Sequence, residues 1–265
     1  MTSRFSRGAL AAAVGLAVAL PFVPLGLWAF SGRWFYPDLW PQAWGLRAWE
    51  YIFNTAGPQI SQALIHSFLV SGLSALLAVA VGLPAGRALG LYHFRGKQGL
   101  MVLLSLPLVV PPLCVAMGLH LWFIRLGLAE SLAGVVLIHF VFCLPYAVFV
   151  LWGVFANYDP DFEDQARSLG AGRWRVWGRV TLPLVLPGVA VAGLFAFLLS
   201  WSQYLSTLII GGGRVVTLPI LLFALMGSGD RPVAAAVSLV FVLPALLILL
   251  VSARYLGLRT AAGVH

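Results

Sequence analysis

The sequence predicts an all-α, polytopic membrane helical bundle, and three observations carry that prediction. Hydrophobic residues make up 61% of the 265-residue chain and charged residues only 9%, against about 25% charged in soluble domains. Mean hydropathy is +0.98, and the apolar runs approach or exceed the roughly 20 residues that a helix needs to cross the hydrocarbon core. Those runs are continuous rather than alternating, which favours helices over the strands of a barrel. Both cysteines, Cys114 and Cys143, fall inside apolar runs, so neither a disulfide framework nor a zinc motif is expected.

Six spans are expected, near 9–30, 61–82, 100–123, 132–155, 184–210 and 233–253, in a single transmembrane domain covering 1–265. The first follows Arg4 and Arg7 as a signal peptide would. It is longer than an h-region and lacks a small-x-small cleavage site, so it reads as an anchor. With both termini cytoplasmic, eleven basic residues lie inside (Arg4, Arg7, Arg87, Arg95, Lys97, Arg167, Arg173, Arg175, Arg179, Arg254 and Arg259). Five lie outside (Arg33, Arg47, Arg125, Arg214 and Arg231), which satisfies the positive-inside rule. The net charge of +8 is therefore a matter of membrane orientation. The arginines form no continuous patch, so nucleic acid is not an expected partner.

The exterior 31–60 segment, with Trp34, Tyr36, Trp40, Trp44, Trp49 and Tyr51, suits an interfacial belt or a short helix lying on the membrane. Prolines within or beside the spans (Pro21, Pro24, Pro84, Pro107, Pro111, Pro112, Pro145, Pro187 and Pro244) predict a kinked bundle, tolerated where neighbours satisfy the freed backbone groups. The glycine-flanked 211–231 segment holds either a short re-entrant helix over 218–226 or a surface loop.

The loop at 156–183 is the polar, basic exception in an oily chain. Asp159 suits an N-cap and Pro160 the first helical position, and Asp161, Glu163 and Asp164 favour the positive helix end. A short helix over 160–169 should end at Gly170 in a left-handed conformation, with Gly172 loosening the corner. A second helix over 173–181 should stop before Pro183. Two short helices on a glycine elbow make a compact knob.

Within this knob, Asp164-Gln165-Ala166, Arg167-Ser168-Leu169, Gly170, nine residues and then Val180-Thr181-Leu182-Pro183 resemble a motif of permease subunits of binding-protein-dependent ABC importers. That motif runs Glu-Ala-Ala, three residues, Gly, nine residues, Ile-x-Leu-Pro; Asp164, Gln165 and Val180 depart from it. The resemblance extends to Ser105-Leu106-Pro107, Pro111-Pro112 and Thr217-Leu218-Pro219, and looks most like the polyamine, thiamine, ferric iron and phosphonate subgroup. It implies a type I permease in a bacterial inner membrane, forming half of a pore for a small hydrophilic solute. It also implies a second permease chain, an extracytoplasmic solute-binding protein, surrounding lipid, and cytoplasmic ATP-binding subunits. Those subunits would hold the ATP and magnesium, and this chain would bind no cofactor. Glu163, Asp164, Gln165, Ala166, Arg167, Gly170, Leu182 and Pro183 would then form the coupling surface. An ordinary basic loop near anionic headgroups, worth about 1 kcal/mol per basic residue, explains the arginines but not the Gly170-to-Pro183 spacing.

In span five, Ser200, Gln203 and Thr207 fall near one helical face with Trp201 and Tyr204 beside it. This stripe fits a translocation path and fits interhelical packing equally well. Ser67, Ser71 and Ser74 on span two fit packing better. His139, Cys143 and Tyr146 align on span four; a metal would need further ligands from Cys114 or His66, and a hydrogen-bonded neutral histidine is the simpler account. No predicted span carries a carboxylate, which weighs against an ion-gradient-driven secondary transporter. Neither a nucleotide-binding nor a hydrolase motif occurs, so no catalytic residue and no metal site are assigned.

Gly170→Asp is expected to abolish coupled uptake while leaving membrane insertion intact, because a side chain at the left-handed elbow strains it. Wild-type uptake by a correctly inserted variant refutes the elbow's role.

Overall fold

The computed structural model describes residues 13–35 and 37–262, with side chains through Ser252. Arg4, Arg7, Tyr36 and the side chains of Arg254 and Arg259, used above for orientation and the aromatic belt, lie outside the described residues. The chain divides into two compact units, one running up to Ala63 and including Leu221–Pro244, the other comprising Leu64–Ile220 and the chain from Ala245 onward.

In the first unit, helical backbone at 13–19 and helix α1 (Phe22–Ala29) occupy the described part of the expected first span. They are separated at 20–21, where Pro21 removes a backbone donor. The segment after α1 is not helical. Pro37 and Pro41 forbid a continuous helix there, and a small antiparallel hairpin forms instead from β1 (Ser31–Arg33) and β2 (Ala43–Trp44). It is the sole sheet among the described residues. A short helix, α2 (Arg47–Glu50), then widens into a π-helical turn over Tyr51–Thr55. Arg47 donates two hydrogen bonds to the Asp230 carboxylate, at 2.8 and 2.7 Å, Trp28 stacks on Trp34 at 4.4 Å, and Arg231 lies over the Trp28 ring at 5.5 Å.

Helix α3 (Gly57–Leu91) runs 35 residues, about 52 Å at the usual rise, and so extends well beyond a 61–82 span. The expected third span is two helices, α4 (Lys97–Val109) and α5 (Pro112–Arg125), meeting at 103°. The cause is local: Val110 precedes a proline and is extended (φ −75°, ψ 133°), and Pro111-Pro112 supply no amide protons to bridge the corner. Helix α6 (Leu132–Ala156) matches the fourth span and starts with Ser131 Oγ accepting from Gly134 N at 3.0 Å.

The fifth span departs most from expectation. It consists of α9 (Leu182–Trp201) and α10 (Leu205–Gly211), separated by the non-helical stretch 202–204; α7 (Asp161–Ser168) and α8 (Arg173–Val176) precede it in the knob. Of the two alternatives for 218–226 the structure has the helical one, α11 (Leu218–Gly227), and α12 (Arg231–Ala262) covers the sixth span. Among the described residues four helices are long and apolar enough to cross a membrane, and the bent α4–α5 pair adds a fifth when taken as one span.

Helix α6 is the core of the second unit, with Ile138, Cys143, Ala147, Leu151 and Phe155 fully buried. It owes this to small residues on both neighbours. Gly82, Gly86 and Gly90 on α3, one turn apart, face the backbone of α6, and a Cβ at Gly86 would come within 2.7 Å of Leu151 Cβ. On the other side a Cβ at Gly188 of α9 would meet Val154 Cγ2, while Ala192 and Ala196 join Ala147 and Leu151 in one apolar cluster. Close backbone approach through small residues is how helices pack when lipid is as apolar as their side chains.

Gly86→Val should therefore force α3 and α6 apart and cost about 1–3 kcal/mol or more. Gly72→Ala, whose Cβ meets nothing within 4 Å, should be neutral. Thermal unfolding of both variants in detergent checks this, and equal midpoints would refute the glycine seam.

Candidate functional site

The knob forms as its residues dictate, with one correction. Asp159 Oδ1 accepts from Asp161 N at 3.0 Å and opens α7 (Asp161–Ser168). Gly170 is left-handed (φ +84°). Its N–H bonds to Arg167 O at 2.9 Å and that of Ala171 to Ala166 O at 3.0 Å, the paired bonds that cap a helix C-terminus on glycine. The second helix, however, does not stop before Pro183. Helix α8 (Arg173–Val176) widens into a π-helical turn over Trp177–Thr181 and continues directly into α9. The wider turn, in which Leu182 N reaches back to Trp177 O, accommodates a proline ring that would clash with an ordinary α-helical carbonyl.

Glu163 is the centre of the knob and faces inward, only 3% exposed. Arg87, at the end of α3, clamps it with two bonds of 2.8 Å. Arg167 Nη2 donates at 2.9 Å, Thr181 Oγ1 at 2.8 Å and the Tyr158 hydroxyl at 3.3 Å. Arg87 also lies over the ring of Trp177 at 5.3 Å. Burial pushes the Glu163 carboxyl upward, but the hydrogen bonds from Arg87 and Thr181 and the charges of Arg87 and Arg167 outweigh it and hold the group below the usual carboxylate range.

The other motif residues divide by exposure. Asp164 is exposed and pairs with Arg167 at 2.7 Å, Gln165 and Pro183 are exposed, and Ala166 and Leu182 are half-buried. Three large apolar side chains stand in the open on the knob: Phe162 (47%), Leu169 (88%) and Trp174 (78%). Spacing in the sequence located the motif but gave no hint that Glu163 is gripped by a residue 76 positions away.

The polar stripe of the fifth span is split by the break. Ser200 and Thr207 turn inward, 2% and 0% exposed, and each meets a nitrogen of His139 at 2.8 Å, Ser200 Oγ at Nδ1 and Thr207 Oγ1 at Nε2. Trp201 is buried against Phe68 (4.9 Å) and Phe197 (5.7 Å). Gln203 and Tyr204 are half-buried in the break itself. Gln203 Oε1 accepts from Ser206 Oγ, while its Nε2 is buried with no partner among the described residues.

His139 thus behaves as a hydrogen-bonded histidine. Cys143 Sγ donates to Ala196 O at 3.2 Å, Tyr146 is 42% exposed, and no group of three metal-ligating side chains forms among the described residues. Ser67 accepts from Leu218 N at 2.8 Å and Ser74 donates to Val136 O at 3.0 Å, in keeping with packing roles. What sequence reasoning missed was the glycine seam, for which the spacing of Gly82, Gly86 and Gly90 was the available signal.

Residues 82–261 match the protein family described as a binding-protein-dependent transport system inner membrane component. The molybdenum transport system permease protein ModB of Mycobacterium tuberculosis is 35% identical over 239 residues, 84% of this chain and 86% of that protein. The spermidine/putrescine transport system permease protein PotC of Haemophilus influenzae is 28% identical over 221 residues, 82% of this chain and 85% of that one. Among solved structures, a bacterial ABC transporter involved in import of the acidic polysaccharide alginate has a similar fold (TM-score 0.74, 15% identity, 96% of both chains). An inward-facing methionine ABC transporter, MetNI, is also similar (TM-score 0.61, 15% identity, 77% of this chain and 97% of that one).

Removing Arg87 leaves the buried carboxylate with Arg167 as its remaining charged partner, so Arg87→Met should cost about 3 kcal/mol, with much of it recovered in Arg87→Met/Glu163→Leu. Because folding lowers the Glu163 pKa, its stabilisation is complete above the unfolded value of about 4.3 and is lost as pH falls through the folded value. Glu163→Gln should flatten that acid limb. Thermal unfolding between neutral and acid pH checks both, and an unchanged acid limb in Glu163→Gln would refute the assignment.

Proposed function

The chain belongs to the family of inner membrane components of binding-protein-dependent transport systems, and from that premise we propose how this ABC importer permease subunit works. It forms half of a translocation pore and pairs with a second permease chain, identical or homologous. ATP-binding subunits dock on the knob, which together with both termini faces the cytoplasm; a solute-binding protein delivers a small hydrophilic solute on the opposite face. ATP and magnesium reside on the ATP-binding subunits. The observation that carries this reading is the exposed apolar trio Phe162, Leu169 and Trp174 on a polar knob. A surface of that kind outside the hydrocarbon calls for a protein partner.

Closure of the ATP-binding subunits moves the knob, and the knob carries two structural links away from itself. One is the continuous helix through the π-helical turn into α9; the other is the Glu163–Arg87 pair into α3. A rigid-body displacement of this kind switches the pore between inward- and outward-facing states, and docking of the loaded binding protein biases the same equilibrium. Ser200, Trp201, Gln203, Tyr204 and Thr207 mark the stretch of the fifth span proposed to border the solute path. Relatives are named for spermidine/putrescine and for molybdenum; in this reading the binding protein selects the solute. An ion-gradient mechanism finds no support, since no carboxylate lies within the spanning helices among the described residues.

The test is affinity purification of the tagged chain in mild detergent. An ATP-binding subunit is expected to remain bound, and to be lost from a Leu169→Asp/Trp174→Asp variant that still inserts. A chain that purifies alone and stable removes the coupling partner and overturns the reading.

A further inference from the structure

The fifth span breaks where a helix in hydrocarbon should not, and the residue that holds the break together lies on another helix. His139 of α6 is 1% exposed and touches both pieces: Ser200 in the last turn of α9 and Thr207 in the first turn of α10. Thr207 Oγ1 also lies 3.2 Å from Gln203 O. The neutral imidazole donates at one nitrogen and accepts at the other, so it can satisfy both hydroxyls. The result is a continuous line of polar contacts, Ser200 to His139 to Thr207 to the backbone carbonyl of Gln203, a carbonyl that belongs to the break itself. The Gln203 side chain is fixed in parallel by Ser206, leaving its Nε2 buried and without a partner among the described residues.

Irregular backbone at membrane depth persists only where protein buries it or where it borders a water-filled cavity, and transporters use such unwound segments to meet their solutes. We propose that His139 is a positioning residue for transport. By bridging α9 and α10 it fixes the 202–204 break, so that the Gln203 amide stands as an uncharged hydrogen-bonding contact for a hydrophilic solute passing the fifth span. The inference rests on the importer reading for the existence of that path; the hydrogen-bonded chain itself does not.

The test uses the assembled importer, permease with ATP-binding subunits, in proteoliposomes. Cys114 is replaced by Ser, and Ser202→Cys, in the exposed part of the break, serves as the probe. Its labelling by a membrane-impermeant cationic methanethiosulfonate is timed with and without ATP plus vanadate. His139→Leu is expected to change the labelling rate roughly tenfold, as loss of a buried hydrogen-bonded anchor should, and to abolish its nucleotide dependence. His139→Gln, which retains a donor and an acceptor, should restore both, and Thr207→Val should reproduce His139→Leu.

Labelling of His139→Leu at the wild-type rate in both states overturns the proposal. So does a Ser202→Cys thiol that never labels, since the break then faces no aqueous path. Should His139→Leu fail to insert, the near-isosteric Thr207→Val decides the same question. Labelling with wild-type His139 that ignores nucleotide counts against the importer reading, while the nucleotide-free comparison with His139→Leu still decides the anchor.

Discussion

Every backbone amide and carbonyl that enters hydrocarbon must find its partner within the protein, and the architecture of this chain follows from that constraint. Where the helical ladder is whole, nothing more is needed. Among the described residues it is interrupted at several places, inside and beside the spans, and three of them show three different remedies. At Val110–Pro112 the chain turns through 103° with prolines that bring no amide protons to satisfy. At Trp177–Thr181 the ladder widens by one residue and keeps its bonds, so that Pro183 can follow without a clash. At 202–204 the ladder opens, and a histidine from the neighbouring helix supplies the missing order through two hydroxyls.

Charge obeys a parallel rule. The Glu163 carboxylate, nearly enclosed, is tolerated because four residues from three stretches of chain donate to it. A buried ion of that kind stabilises little in itself, but its geometry is demanding. All of its donors must be in place together, so it defines one arrangement of the knob against α3 and α9. The neighbouring Asp164–Arg167 pair is exposed on both sides and belongs to the ordinary surface, where such pairs contribute little.

Much of this was legible in the residues. Hydropathy and length marked the fourth span almost to the residue, and the acidic start, Gly170 and the spacing to Pro183 marked the knob. The failures share a cause. Apolar runs do not reveal where an apolar helix is interrupted: 184–210 reads as one span because Ser202, Gln203 and Tyr204 are neither proline nor glycine. The break depends instead on His139, which lies 61 positions before Ser200. Glu163 looked like one of several surface acids for the same reason, since burial by Arg87 is a tertiary fact. The hairpin at 31–44 was hidden because two short strands leave too little alternation to detect.

Helix α3 can be seen as a connecting rod with a head at each end. Near one end Arg87 grips the knob through Glu163; about 30 Å away by helical rise, His66 Nδ1 meets Val216 O at 3.0 Å and Ser67 holds Leu218 N at 2.8 Å. Between them the shaft lies against α6 over the glycines at 82 and 86, too close to bow in that direction at that point. A rod so mounted slides or tilts as one piece. A displacement of Glu163 therefore has one continuous helix along which to reach the 216–218 corner.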